Sequence, residues 1–214
     1  MIINITVFKS LILILLLLIS NVHANCNKAK NSNSIVVAGG SITEIIYFLN
    51  LQNKLVGVDI TSNYPLKAKK LPSIGYIRNL SIEGLLSLKP NLILAEESIG
   101  PPIILKQLNK TSVEFRIIKN NYTLEGINEK FLCISKILDV EIKNNIDYKK
   151  FVNNVKKLKS FVKNNNKEKK DILLILMMKG TSPIIAGKNT SGHGFIKMIG
   201  QNNSMDKVSG WKPV

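Results

Sequence analysis

The chain has 214 residues, a formal net charge of +16 and only two cysteines. This length suits one sizeable domain or two small lobes, and two cysteines exclude a fold held by a disulfide framework. The basic residues are spread along the chain and do not gather with aromatic residues into one patch, so we do not expect a nucleic-acid-binding protein.

Residues 1–24 have the pattern of a secretory signal peptide. A positive residue precedes the unbroken apolar run from Leu11 to Ile19, and Ala24 is a small residue suited to cleavage. The run is shorter than the roughly 20 residues of a membrane-spanning helix, which makes an uncleaved anchor the minority interpretation. Asn25 precedes Cys26 where a lipoprotein signal has a small residue, so we expect cleavage after Ala24 and a soluble exported product.

Cys26 and Cys133 would permit one disulfide bond in an oxidising compartment. Cys26, however, lies in a polar N-terminal stretch that the sequence predicts to be frayed. We therefore expect the two cysteines to remain unpaired.

From residue 35 onwards, short apolar runs alternate with amphipathic segments. Strands are predicted at 35–38, 55–59, 91–95 and 113–118, and helices at about 41–49, 81–88, 101–108 and 123–138. This alternation predicts a parallel sheet with helices on its faces, in which ligands bind at the carboxyl ends of the strands.

A long charged amphipathic helix is predicted over 141–166. A second unit follows, with strands at 171–177 and 184–186 and a helix at 190–199. One long helix between two α/β units predicts lobes at 25–140 and 167–214 with a cleft between them. The second unit has too little sheet to cover both faces, because small units bury a small fraction of their surface. We expect an α/β protein of two Rossmann-like lobes joined by one long helix, with the second lobe incomplete.

The tetrapeptide Gly-Tyr-Ile-Arg at 75–78 is the main candidate for a ligand-binding motif. On an extended segment, Tyr76 and Arg78 would share one face with about 7 Å between their Cα atoms. A guanidinium beside a phenol favours the phenolate and also pairs with carboxylates, so the two residues would suit a hard ferric ion and its acidic ligand. A surface tyrosine beside a salt-bridging arginine is the alternative, and the tetrapeptide alone does not decide between them.

We expect no enzymatic activity from this chain. It contains no visible Ser/His/Asp or Cys/His grouping, and two histidines, one of them within the signal peptide, are too few for a zinc site. We expect the other, His193, to be structural.

Several blocks of the mature sequence match a known family. They are residues 37–47, 56–65, 71–95, 100–102, 183–190 and 211–214. Across them the sequence resembles the periplasmic heme-binding proteins of ABC-type heme importers, within the wider group of cobalamin and siderophore substrate-binding proteins. The resemblance implies a monomer that captures heme in the periplasm and delivers it to an ABC permease and its ATPase. A ferric siderophore or a cobalamin is the alternative ligand, and a non-functional truncated fragment is the other alternative.

The resemblance also implies roles for individual residues. Tyr76 is implied to be the axial heme ligand, with Arg78 contacting a propionate or supporting the tyrosinate. Met178 matches the position where some members have a histidine; its thioether is able to ligate iron, but packing in an apolar wall is the expected role. Glu83 matches a first-lobe glutamate that meets a permease arginine, although the helix dipole alone also explains a carboxylate there. The second-lobe glutamate is expected just beyond Val214, so the resemblance implies C-terminal truncation.

Overall fold

The computed structural model describes residues 26–165 and 168–214, and the predicted signal peptide lies outside them. In chain order the elements are β1 (Ile35–Ala38), α1 (Gly40–Phe48), β2 (Leu55–Val58), α2 (Ile82–Ser87), β3 (Leu92–Glu96), α3 (Ile103–Leu108), β4 (Glu114–Ile118), α4 (Leu124–Ile137), α5 (Ile146–Asn165), β5 (Asp171–Ile172), β6 (Ile175–Lys179), β7 (Ser182–Ala186), α6 (Ser191–Met198), β8 (Asn202–Asn203) and β9 (Trp211–Pro213). Among the described residues, no helix has both the length and the apolar content needed to cross a bilayer.

The first lobe, meaning the described residues before α5, is built on a four-stranded parallel sheet. Its strand order is β2-β1-β3-β4, and every neighbouring pair is parallel. The helices α1 to α4 connect successive strands or follow the last one. The predicted parallel α/β sheet is therefore confirmed.

Apolar side chains cover both faces of this sheet. On β1, Ile35 and Val37 belong to one buried cluster, together with residues of α1 and α4. Val36 and Ala38 belong to a second cluster on the opposite face, together with residues of α2 and α3. Because side chains alternate between the faces of a strand, an unbroken apolar run is what a strand covered on both sides requires.

The N-terminal segment is docked on the first lobe, and the expectation of unpaired cysteines is wrong. Cys26 and Cys133 are joined by a disulfide bond, with 4.9 Å between their Cα atoms. The segment is not frayed because Ala29 is buried and its N–H donates to the carbonyl of Ile137 at the end of α4 (2.9 Å). Lys28 also pairs with Asp139 (2.6 Å). These contacts place Cys26 beside α4.

The long helix α5 begins at Ile146, five residues later than predicted. Ile142 is buried in the first lobe, which ties residues 141–145 to its core in a turn conformation. Asn145 accepts a hydrogen bond from the N–H of Tyr148 through its side chain (2.9 Å), as a helix N-cap does. None of the twenty residues of α5 is buried.

The second lobe, residues 168–214, differs from its prediction in the first strand. The single strand predicted at 171–177 is two strands, because β5 pairs in parallel with β8 whereas β6 pairs antiparallel with β7. β7 also pairs with β9. The predicted helix at 190–199 is confirmed as α6, where the Thr190 hydroxyl accepts from the N–H of His193 (3.1 Å).

Candidate functional site

The loop that contains Tyr76 is fixed by buried anchors at every third residue. Ile74, Ile77 and Leu80 are each at most 7% exposed and belong to the cluster beneath α2 and α3. The N–H of Ile74 donates to the carbonyl of Val58 at the end of β2 (3.0 Å). On the other side, the N–H of Gly100 donates to the carbonyl of Ile77, and the N–H of Leu80 donates to the carbonyl of Gly100 (2.9 Å each). The loop is therefore held between two other connections of the sheet.

Tyr76 and Arg78 flank the buried Ile77 and are themselves exposed. Tyr76 is 44% exposed, and Arg78 is also in the exposed class. The extended geometry considered from the sequence does not occur, because Ile77 and Arg78 lie in a turn in which the N–H of Asn79 donates to the carbonyl of Tyr76 (2.7 Å). A three-residue spacing of anchors requires the chain to turn, which an alternating strand does not do. The two side chains remain close in sequence, on the outer side of one anchored loop.

A large cavity lies between the two lobes. Its volume is about 1460 Å³. Its walls include Phe48, Phe131 and Lys130 of the first lobe, Phe151 of α5, and Phe195 and Trp211 of the second lobe. An apolar cavity with a few polar groups is the usual form of a small-molecule site.

A smaller cavity of about 660 Å³ also lies between the lobes. Arg78 and Glu97 line it from the first lobe, and His193 and Lys197 line it from α6. Among the predicted site residues, Arg78 is therefore in the cleft wall. Tyr76 is not a lining residue of either of these two cavities.

Four polar side chains converge in the wall of the large cavity. They are Ser41 after β1, Glu96 at the end of β3, Asn120 after β4 and Lys130 of α4. The Lys130 ammonium donates to Ser41 Oγ (2.7 Å), to Asn120 Oδ1 and, at 3.4 Å, to Glu96 Oε1. Burial lowers the pKa of Lys130, and the carboxylates of Glu96 and Glu97 oppose part of that shift. The network joins the carboxyl ends of three strands to α4.

Tyr122 lines both cavities, and the sequence interpretation missed it. Burial, followed by the carboxylates of Glu96 and Glu97, raises the pKa of Tyr122, while Arg78 and a hydrogen bond with Asn120 act in the opposite direction. The phenol is thus protonated at neutral pH. The sequence offers one indication that Tyr122 belongs to the site. It follows the carboxyl end of a predicted strand, which is where ligands bind in a parallel sheet.

The remaining candidates lie apart from one another. Met178 is on β6, is 55% exposed, and does not line either cavity described above. Glu83 is exposed in the first turn of α2, where Ser81 forms the expected cap by accepting from the N–H of Gly84 (2.9 Å). His193 Nδ1 lies 3.1 Å from Asn203 Nδ2, and burial followed by the charge of Lys197 lowers the pKa of His193. A neutral imidazole that accepts from Asn203 agrees with a structural role.

The chain is similar to several known proteins. Against the periplasmic heme-binding protein RhuT from Roseiflexus sp. RS-1, it has 29% sequence identity and a TM-score of 0.76 over 86% of this chain and 71% of that one. The ABC transporter substrate-binding lipoprotein YvrC of Bacillus subtilis strain 168 is 26% identical over 85% of this chain, and the match spans 58% of YvrC. The vitamin B12-binding protein of Yersinia pestis strain Pestoides F is 38% identical over 80 residues, which are 37% of this chain and 29% of that protein.

A family model for periplasmic binding proteins also matches most of the chain. It extends from residue 35 to residue 214, which includes all of the strands and helices described above. By this match, and by the two-lobed α/β architecture that accompanies it, the chain belongs to the periplasmic binding protein family.

Proposed function

We propose that this protein captures heme outside the cytoplasm and delivers it to an ABC transporter permease and its ATPase. It acts as a monomeric, non-enzymatic substrate-binding component in the periplasm. The lobes at 25–140 and 167–214, joined by the helix segment at 141–166, form the cleft in which heme is held.

The observation that supports heme most directly is the anchored loop with Tyr76 and Arg78 on its outer side, in a chain similar to the heme-binding protein RhuT. Tyrosinate is an established axial ligand for ferric heme iron. Arg78 lines the cleft and offers a fixed cation, which suits the carboxylate groups at the edge of heme. Because Ile77 is buried between the two residues, first-lobe contacts alone fix the backbone from which both side chains extend.

Two further residues have roles in this proposal. Met178 is exposed on β6 of the second lobe, and its proposed role is to offer heme a thioether or an apolar contact. Glu83 is exposed on α2 and offers a carboxylate to an arginine of the permease.

The test is a visible-absorbance titration of residues 25–214 with ferric heme, beside Tyr76→Phe and Arg78→Met variants. We expect a saturable tyrosinate-ligated spectrum that Tyr76→Phe loses, and weaker binding with the same spectrum for Arg78→Met. Tyr64→Phe is the matched control, since Tyr64 is 67% exposed and lines the large cavity. A Tyr76→Phe variant with unchanged affinity and spectrum would contradict the assignment of the ligand.

A corrinoid is the second candidate, favoured by the 38% identity to a vitamin B12-binding protein over 80 residues. A ferric siderophore is the third candidate, because the wider group of substrate-binding proteins that the sequence resembles includes siderophore binders. Parallel titrations with cyanocobalamin and a ferric siderophore separate these ligands from heme. A folded protein that binds none of them would support the alternative of a non-functional fragment.

A further inference from the structure

The segment Asn120–Tyr122 divides the cleft between the two lobes. Its residues line the large cavity on one side and the small cavity on the other. Tyr122 has the largest side chain of the three, so its ring forms most of the wall between the two cavities. The apolar cavity is thereby separated from the one that contains Arg78.

First-lobe contacts hold this segment rigidly. The N–H of Asn120 donates to Glu97 Oε2 (2.9 Å), and its side-chain amide donates to Glu96 Oε2 (3.1 Å). The amide oxygen accepts from Lys130, whose side chain is only 10% exposed. A buried ammonium is costly unless it is fully hydrogen-bonded, and this network satisfies it. The buried Lys130–Glu96 pair therefore helps to fix the position of this segment.

The second lobe closes against the same segment. A Cβ atom added at Gly194 of α6 would overlap both the Cβ and the carbonyl oxygen of Tyr122. The absence of a side chain at Gly194 therefore permits α6 to approach Tyr122 this closely. The passage between the cavities is closed by Tyr122 from the first lobe and by α6 from the second.

We propose, building on the heme-binding function proposed above, that Tyr122 sets the size of the ligand that the cleft admits. Heme is a flat ring with two carboxylates, and we place it in the small cavity, on the side of Tyr122 where Arg78 and Lys197 offer cations to those carboxylates. A cobalamin adds amide side chains and a nucleotide loop to a ring of similar size. The Tyr122 ring excludes this extra bulk, and the protein therefore prefers heme.

The test measures the ratio of the dissociation constants for cyanocobalamin and ferric heme in wild type, Tyr122→Ala and Tyr122→Phe. Because Tyr122→Ala joins the two cavities, we expect it to reduce the ratio by about tenfold or more, within the range that steric fit contributes to specificity. Tyr122→Phe keeps the ring and should leave the ratio unchanged within about threefold. Phe161→Ala is the control for the loss of an aromatic ring, since Phe161 is 64% exposed on α5 and lines neither cavity.

Gly194→Ala provides an independent second variant. Its added methyl group must displace α6 from Tyr122, so we expect the ratio to fall as it does for Tyr122→Ala, by a smaller factor. Folding of each variant is checked by circular dichroism, and a variant that fails to fold is replaced by Tyr122→Leu.

Each outcome has a defined meaning. A wild type that binds heme, with a ratio that Tyr122→Ala leaves unchanged, overturns this inference and leaves heme binding in place. A wild type that prefers cyanocobalamin, or binds neither ligand, overturns both proposals. A reduced ratio in Tyr122→Ala but not in Phe161→Ala or Tyr122→Phe supports the inference.

Discussion

The Cys26–Cys133 disulfide should account for a large part of the stability of the first lobe. The perturbation is the double substitution Cys26→Ser with Cys133→Ala, which removes both thiols. The bond closes a loop with a sequence separation of 107 residues, nearly the whole first lobe. Opening it gives the unfolded chain more freedom and changes few contacts in the folded state.

The expected magnitude follows from the length of that loop. In the chain-entropy account, a loop of about 100 residues corresponds to about 4.7 kcal/mol, and removal of a native disulfide typically costs about 2–5 kcal/mol. Taking about 3 kcal/mol, and about 2–4 °C of melting temperature per kcal/mol for a chain of this size, the variant should melt about 6–12 °C lower.

Thermal melts followed by circular dichroism provide the assay. Three samples are compared: oxidised wild type, wild type in reductant, and the double variant. Cys133 is buried, so the reduced wild type separates the loss of the bond from the loss of packing at that position. A thiol assay on unfolded, unreduced wild type should find no free cysteine. Melting temperatures within about 1 °C of one another across the three samples would refute the reasoning.

Three further outcomes are expected. Glu83→Ala should leave heme affinity unchanged but reduce heme transfer to the reconstituted permease by about tenfold, because it removes a docking charge and no cleft residue; equal transfer would contradict the docking role. Burial by itself raises the pKa of Glu114, but hydrogen bonds from the Lys30 N–H (2.8 Å) and the Arg116 side chain (2.6 Å) outweigh it and lower the pKa overall. This stabilisation is present above the ordinary carboxyl pKa and is lost as pH falls through the folded value, so Glu114→Gln should cost about 1–2 kcal/mol in urea melts at pH 7 and progressively less as pH falls below about 4. Met178→Leu should keep the heme spectrum and an affinity within about twofold, since Met178 is 55% exposed; a changed spectrum would instead make the thioether an iron ligand.

The architecture of the first lobe was predictable because its strands have a local signature. β1 and residues 92–95 of β3 are unbroken apolar runs, as expected of strands covered on both faces. Ser81 and Thr123 cap the helices α2 and α4 where the sequence has the expected residue types. These features depend on neighbours within a few residues.

The features that the sequence did not reveal depend on distant contacts. The turn at Ile77 is imposed by backbone hydrogen bonds with Gly100, which belongs to another loop. Cys26 reaches Cys133 because the contacts of Ala29 place the N-terminus on α4. The close approach of α6 to Tyr122 depends on the missing side chain of Gly194, far along the chain, and no local pattern marks that contact.

The helix α5 is by itself a weak link between the two lobes. Its first turns rest on the first lobe, where Tyr148 and Phe151 stack against Phe131 at centroid distances of 5.3 and 6.1 Å. Further along, Phe161 is 64% exposed, and none of the helix's twenty residues is buried. Most helical stability in proteins comes from the packing of an apolar face, and α5 has little of it, so we expect α5 itself to transmit little cooperativity. Direct contacts between the lobes, such as that of α6 with Tyr122, then carry most of the coupling, and a ligand that contacts both sides of the cleft should strengthen it.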